Sequence, residues 1–235
     1  MKKIVGSLLI ASSMFSMEYY SKVEPINTYN IKSSVSGKVV FVNKNIESNI
    51  AKNNSIIKID SKVNSIDLKQ SKLKLKTMKN ILDIEKDTLK SYKRISSKSK
   101  FDKDNQKIKI LNIQSSISDL ITKIATLEDT ISNKNLIATN SYIYNIAVKI
   151  GDFVNPGNLL YTAMDLTKAK FEIFIPIDKA NTIQNKIIYI NDKKTNLKIS
   201  KLYSVADTQH ITSYKCKIII PNPKTFSNLV KVEFK

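Results

Sequence analysis

The sequence predicts a mixed α and β protein of several domains, in which a β domain is split by a long pair of helices and followed by a second β domain. Three observations lead to this class. Two similar strand–turn–strand stretches lie about a hundred residues apart. The residues between them, 62–134, contain neither proline nor glycine, and alternating apolar residues follow the second stretch.

The composition allows buried cores and argues against a nucleic-acid partner. The 235 residues are 42% hydrophobic, which is enough for one large or two small domains. The net charge is +19, but Arg94 is the only arginine among 39 basic residues, and the lysines are spread along the chain. Proteins that recognise duplex DNA commonly use bidentate arginine contacts clustered on one face, so a basic nucleic-acid binder is only the third interpretation.

The first sixteen residues have the outline of a signal peptide. Lys2 and Lys3 precede an apolar run from Ile4 to Phe15, and small residues at 11–13 offer a cleavage site. The run is shorter than the ~20 residues of a spanning helix, so an uncleaved membrane anchor is the alternative. Either interpretation places the body of the protein outside the cytoplasm.

The β stretches 37–60 and 141–165 show the same alternation of apolar and polar residues. Aligning Gly37 with Ser141 places Glu47 on Gly151 and Asn53 on Gly157. Each stretch is too small to bury both faces of its strands, so residues 28–61 and 135–166 are predicted to be two halves of one sandwich. Since Glu disfavours positive φ, the first turn is expected to be built differently from the second.

The segment 62–134 has the residues of two long helices. Its second part carries apolar residues at steps of three and four, which is the pattern of a coiled-coil seam. The first part is less regular, because Ser71 and Glu85 interrupt its apolar stripe. A bend is expected at 96–104, where Ser, Lys and Asp crowd together. The seam residues of the second part are Ile110, Ile113, Ile117, Leu120, Ile124, Leu127 and Ile131.

The order of β half, helical hairpin and β half resembles the periplasmic adaptor, or membrane fusion protein, family of tripartite efflux pumps and type I secretion systems. In that family a biotinyl-lipoyl-like domain is split by a coiled-coil hairpin and followed by a small β-barrel domain. The resemblance covers nearly all of the chain after residue 16. It is carried by residues 35–39 and Asp60 in the first half, by 151–154, 156–157 and 159–160 in the second, and by 171–178, 205–223 and 229–234 beyond.

The resemblance implies a β-barrel domain at 167–235 and several partners. These are an inner-membrane transporter of the ATP-binding cassette or proton-driven type, an outer-membrane channel, and further copies of the chain, with six as the family's number. It also implies that Arg94, Ile95 and Ser99 at the hairpin tip meet the channel. The domain that lies next to the membrane in many members is expected to be reduced or missing.

The sequence predicts no enzyme, no cofactor and no metal site. The helical segment replaces the hairpin in which true lipoyl domains present a modifiable lysine. His210 and Cys216 are the only residues of their types, so they support neither a catalytic triad nor a zinc site, and no intrachain disulfide can form. The chain also contains no glycine-rich phosphate loop.

These observations favour a periplasmic adaptor associated with the inner membrane. The competing interpretation is a secreted coiled-coil binding protein without a transporter partner, which would use the same hairpin to hold another ligand.

Overall fold

The computed structural model describes residues 17–235, so the signal peptide and anchor predictions for residues 1–16 lie outside the described chain. Residues 17–235 form two α-helices, twelve strands and two short 3-10 helices, Lys44–Ile46 and Ile177–Thr182. The helices are α1 (Lys62–Arg94) and α2 (Lys100–Asn133). The strands are β1 (Met17–Lys22), β2 (Glu24–Lys32), β3 (Gly37–Val42), β4 (Ile50–Ile59), β5 (Asn135–Ile146), β6 (Phe153–Val154), β7 (Leu159–Pro176), β8 (Ile188–Ile190), β9 (Lys193–Lys194), β10 (Ile199–Leu202), β11 (Ser213–Pro221) and β12 (Leu229–Phe234).

The described chain forms two compact units. The helical unit comprises residues 29–163, and the strand unit comprises residues 17–28 and 164–235. The predicted class, a mixed α and β protein with two helices and a β-rich remainder, is confirmed. The assignments of a lipoyl-like domain and a β-barrel stay predictions.

The two helices pack against each other in antiparallel directions. Lys72 pairs with Glu128 at 2.6 Å and Lys123 pairs with Asp67 at 2.8 Å, so the start of α1 lies beside the end of α2. Each helix is about 50 Å long at 1.5 Å per residue. The inward face of α2 is the sequence-derived seam, of which Ile110, Ile113, Ile117 and Ile124 are buried and Leu120, Leu127 and Ile131 are half-buried.

Polar residues also belong to this inward face. Ser71 is the buried residue of α1, and Gln106 is buried on α2. The amide nitrogen of Gln106 donates to the carbonyl and the carboxylate of Glu85, at 2.9 and 2.7 Å, and Lys109 binds that carboxylate at 2.6 Å. These donors lower the pKa of Glu85, with Lys109 as the larger cause. Such a layer fits only one register of the two helices.

The two β stretches of the helical unit exchange backbone hydrogen bonds in a reciprocal manner. Val39 donates to Asp152 at 2.8 Å and accepts from Gly151 at 2.9 Å. Correspondingly, Ile143 donates to Asn49 at 2.9 Å and accepts from Ser48 at 2.8 Å. The shared core includes Val39, Ile56, Ile57, Ile59, Ile143, Val154 and Leu160.

In the first β stretch, the residue with positive φ lies one position after the residue that the sequence alignment places on Gly151. Gly151 has a φ of 101°, and the residue in its place is Ser48, with a φ of 63°, rather than Glu47. Glu47 keeps a φ of −59°, and its carboxylate accepts the backbone N–H of Ile146 at 2.9 Å. The shift avoids a left-handed glutamate, as the poor tolerance of Glu for positive φ requires. Asn53 adopts a φ of 62° where the second half has Gly157.

A buried lysine joins the strands to the base of the helical pair. Lys134, the residue after α2, donates through its ammonium group to the carbonyl of Asp60 and to the side chain of Asn64, each at 2.7 Å. Its own carbonyl accepts the N–H of Ile59 at 2.8 Å. Gly37 lies beside it, and a Cβ at that glycine would be 2.6 Å from Ile59 Cγ2. The approach is therefore too close for any larger residue.

The strand unit contains a four-stranded sheet of order β1-β12-β8-β9, and strands β10, β11 and the second part of β7 pair in that order. Its core includes Phe171, Ile175, Ile183, Ile188, Cys216, Ile218, Val232 and Phe234. Burial raises the pKa of Cys216 to about 12, so this thiol behaves as a small core residue. None of the helices in the described part of the chain is long and apolar enough to cross a membrane.

Replacing Lys134 with Met is expected to destabilise the base of the helical pair by about 1–3 kcal/mol, since it removes two charge-assisted hydrogen bonds and leaves a carbonyl and an amide without a donor. Urea unfolding followed by circular dichroism at 222 nm measures the loss. The control is Lys62→Met, at an exposed lysine of the same junction. Equal stability of the two variants would contradict the proposed stabilising role of Lys134.

Candidate partner-binding site at the tip of the helical pair

The tip is the short connection between α1 and α2, comprising residues 95–99 with the adjoining helix ends. Arg94 is the last residue of α1 and is exposed. Ile95 follows with extended backbone, at a φ of −93° and a ψ of 118°, and 45% of its surface is exposed. An exposed guanidinium beside an exposed aliphatic side chain is a combination typical of protein interfaces.

Ser99 has a structural role that the sequence analysis missed. It is the N-cap of α2, where its hydroxyl oxygen accepts the N–H of Asp102 at 3.1 Å. The Asp102 carboxylate in turn accepts the Ser99 hydroxyl at 2.9 Å and the Ser99 N–H at 3.2 Å. These bonds lower the pKa of Asp102, with the Ser99 hydroxyl as the larger cause. The serine–x–x–aspartate spacing is the sequence signal that could have revealed the cap.

The turn itself is closed by two local interactions. The N–H of Lys98 lies 3.4 Å from the carbonyl oxygen of Ile95, and the Lys98 ammonium group lies over the ring of Tyr92 at 4.5 Å from its centroid. A cation over an aromatic face is stabilising even at exposed sites. The Lys98 side chain therefore links the connection to the last turn of α1.

Phe101 is a further candidate contact residue that sequence reasoning did not single out. It lies in the first turn of α2 and is 73% exposed. When the spacing of the α2 seam is extended from Ile110 and Gln106 toward the start of the helix, Phe101 does not fall on the inward face. This spacing is the sequence signal that predicts an exposed Phe101. With Ile95 it gives the tip two large apolar side chains in contact with water.

The charge of the tip is positive. Its acidic residues are already engaged, because Asp102 belongs to the cap and Asp104 pairs with Lys107 at 2.8 Å. The surrounding basic residues are Lys93, Arg94, Lys98, Lys100 and Lys103. A partner with acidic and apolar groups would be complementary to this surface.

His210, Asp60 and Asp165 have local structural contacts. His210 stacks on Phe174, with ring centroids 3.4 Å apart, and its Nδ1 lies 3.1 Å from a carboxylate oxygen of Asp207. Asp60 accepts the N–H of Lys62 at the start of α1, and Asp165 accepts that of Thr167, each at 2.9 Å. Among residues 17–235 no group of three or more His, Cys, Asp and Glu side chains is arranged to hold a metal ion.

No family model matches the sequence, and no curated protein matches it. Solved structures do match. MacA from Actinobacillus actinomycetemcomitans has a TM-score of 0.75 at 18% identity, over 94% of this chain and 78% of that chain. A membrane fusion protein from Streptococcus pneumoniae R6 has a TM-score of 0.70 at 10% identity, over 94% of this chain and 99% of that chain.

A chimera of MacA that contains the α-hairpin domain of Pseudomonas aeruginosa MexA gives a TM-score of 0.64 at 16% identity, over 94% of this chain and 81% of that chain. At these identities the likeness concerns the fold. The chain has the fold of membrane fusion proteins, and the family resemblance in the sequence is confirmed at that level.

Replacing Ser99 with Ala is expected to destabilise α2 at its first turn, since an N-cap contributes about 1 kcal/mol. Ser99→Asp retains a capping oxygen and should keep most of the helicity. Hydrogen exchange of the amides of residues 100–104 reports the difference, and Ser97→Ala is the matched control in the same turn.

The cap should also depend on pH. The pKa of Asp102 is lower in the folded state than in the unfolded chain, so its stabilisation is complete above about pH 5 and is lost as the pH falls through the folded-state pKa. Protection that stays constant on acidification, or that survives in Ser99→Ala, would contradict the capping role.

Proposed function

We propose that this protein is a periplasmic adaptor that joins an inner-membrane transporter to an outer-membrane channel for efflux or secretion. The observation that carries the proposal is the fold shared with membrane fusion proteins over 94% of the chain, with TM-scores of 0.75 and 0.70. The charged and apolar tip of a long helical pair supports it.

The proposed domain arrangement follows the sequence interpretation. Residues 28–61 and 135–166 form a lipoyl-like domain, residues 62–134 form the hairpin that reaches toward the channel, and residues 167–235 form a β-barrel that lies toward the transporter. Copies of the chain, six by resemblance, surround the conduit. The transporter is of the ATP-binding cassette or proton-driven type.

The mechanism we propose is positional rather than catalytic. The helical pair would transmit force only if its helices do not slide past each other. The layer formed by Glu85, Gln106 and Lys109 opposes sliding, since a shift along the helix axis would separate a buried amide from its acceptors. Movement of the transporter would thereby reach the tip, where Arg94, Ile95 and Ser99 would contact the channel.

Large apolar side chains on the outward faces of both helices support contacts along the hairpin. They are Ile66, Leu73 and Ile84 on α1 and Ile108, Leu111 and Ile121 on α2. Neighbouring copies of the chain would cover them in an adaptor. A secreted coiled-coil binding protein would use the same faces for another ligand, so contacts at the tip decide between the two functions.

A photoreactive residue at Ile95 is expected to capture an outer-membrane channel protein in intact cells, because this side chain is exposed at the tip. The same residue at Ile66, which is exposed near the base of the pair, is the control and should not capture the channel. Mass spectrometry identifies the captured protein. If neither position captures a channel in a folded protein, the secreted binding protein is favoured.

Deletion of residues 66–131 is expected to leave a folded β body that no longer supports export. The ends of the deletion can be joined because Lys58 and Asn135 are paired on β4 and β5 and Ile59 donates to Lys134. Circular dichroism checks the β signal, and accumulation of exported cargo inside the cell measures function. Normal export by a stable deletion variant would refute the adaptor function.

A further inference from the structure

The strand unit has a groove between two chain segments, residues 184–187 and 194–199, with a volume of about 580 Å³. Both walls are fixed by hydrogen bonds, one to the residue after β12 and the other to β8. Ile187 and Lys235 exchange hydrogen bonds of 2.9 and 3.0 Å, and Thr195 donates its N–H and its hydroxyl to the carbonyl of Ile188, at 2.9 and 2.7 Å. Ile183 and Ile188 anchor the walls in the core. The walls of the groove are therefore held in place by hydrogen bonds and core packing within the protein itself.

Three lysines line this groove without an acidic residue among its lining side chains. They are Lys186, Lys194 and Lys198. The carboxylates nearest in sequence are occupied elsewhere, since Asp192 binds Lys231 at 2.6 Å and Asp178 lies 3.6 Å from Lys179. The uncompensated charge makes the groove attractive to an anion.

Another groove of the same unit has a different charge pattern. It is lined by Tyr19, Lys22 and Phe174, among others, but it also contains Glu24 and Glu172. The Glu172 carboxylate lies 3.2 Å from Lys215 and 3.5 Å from Lys170. In this second groove the lining carboxylates accompany the lysine, unlike in the groove of residues 184–199.

The remaining lining of the groove has two kinds of side chain. Gln184, Asn185 and Asn196 supply amide donors, which can complete the hydrogen bonds of an anionic oxygen. Ile187, which is 42% exposed, and the half-buried Leu197 and Ile199 supply apolar surface. A ligand that fits both would carry a charged head and an aliphatic part.

We propose that this groove binds an anionic phospholipid, with the phosphate ester near the three lysines and part of an acyl chain on the apolar side chains. Lysine ammonium groups bind phosphate as point charges, and basic pockets are used for lipid head groups. This site goes beyond the proposed adaptor function and does not depend on it. It would give the strand unit a contact with single lipid molecules.

Neighbouring residues of β9 provide an internal test. Lys193 and Lys194 carry the same charge and are both exposed, but only Lys194 lines the groove. Successive residues of a strand point to opposite faces, so the two substitutions change the net charge equally and the groove unequally. Nonspecific attraction to a basic protein would respond to both.

The experiment titrates the full chain with dihexanoyl phosphatidylglycerol below its critical micelle concentration, followed by calorimetry and amide NMR. Lys194→Gln and Lys198→Gln are each expected to weaken binding about fivefold, and Lys193→Gln less than twofold. Glycerol phosphate, which has the head group without chains, and dihexanoyl phosphatidylcholine should bind more weakly than the anionic lipid. Leu197→Asn should weaken lipid binding but leave the binding of glycerol phosphate unchanged.

Three outcomes would overturn the proposal. Equal losses in Lys193→Gln and Lys194→Gln would indicate nonspecific charge attraction. Equal affinity for glycerol phosphate and the lipid would indicate a site for free phosphate esters. Amide shifts outside 184–199 alone, or no binding to the folded protein, would exclude the groove. Because the lysine variants are at the surface, they test the site even if Leu197→Asn fails to fold.

Discussion

The helical unit depends on the junction at which the chain leaves the strands, forms two helices of more than thirty residues, and returns. Lys58 and Asn135 are paired neighbours on β4 and β5, so the helices must begin and end within a few ångströms of each other. Lys134 satisfies this constraint with three hydrogen bonds to three different places, the carbonyl of Asp60, the side chain of Asn64 and the N–H of Ile59. Burial of its ammonium group is tolerated because oxygen acceptors surround it. A small error in angle at this base would become a large displacement about 50 Å away.

The polar residues within the seam fix the register of the two helices, in addition to the junction at their base. An apolar seam alone allows neighbouring registers of similar energy, since one isoleucine can replace another. The amide of Gln106 has acceptors only at Glu85, and Lys109 is paired with the same carboxylate. Slippage would leave these groups without partners in a partly buried layer, which costs more than it gains. The direction and the register of the hairpin are thus supported by polar contacts at two heights, Lys134 at the base and this layer nearer the tip.

Periodicity and spacing predicted the mixed class and the two long helices, because seam positions and the absence of Pro and Gly are properties of a single stretch of sequence. The role of Glu85 could not be predicted in this way. In the sequence of α1 alone, Glu85 only interrupts an apolar stripe. Its role as a hydrogen-bond acceptor becomes visible only with Gln106 of the partner helix, 21 residues away. That the first turn differs from the second could be expected, since Glu47 disfavours positive φ, whereas the choice of Ser48 as the left-handed residue followed only from the backbone. At the tip, the family motif suggested contact residues, whereas the serine–x–x–aspartate spacing at Ser99 and the position of Phe101 outside the seam were signals that the sequence already contained.

The lysines illustrate how little a net charge of +19 says until each ammonium group has been placed. Lys123 and Lys231 form ion pairs, Lys134 is buried among oxygen atoms, and Lys98 lies over an aromatic ring. The ion-paired Lys123 and Lys231 contribute little to attraction over distance, because a carboxylate lies beside each ammonium group. The groove of the strand unit differs because its three lysines share one concave surface with no carboxylate in the lining. Lysine therefore stabilises the base of the helical pair in one unit and is a candidate ligand-binding group in the other. The difference follows from the groups that surround each ammonium nitrogen, not from the number of charges.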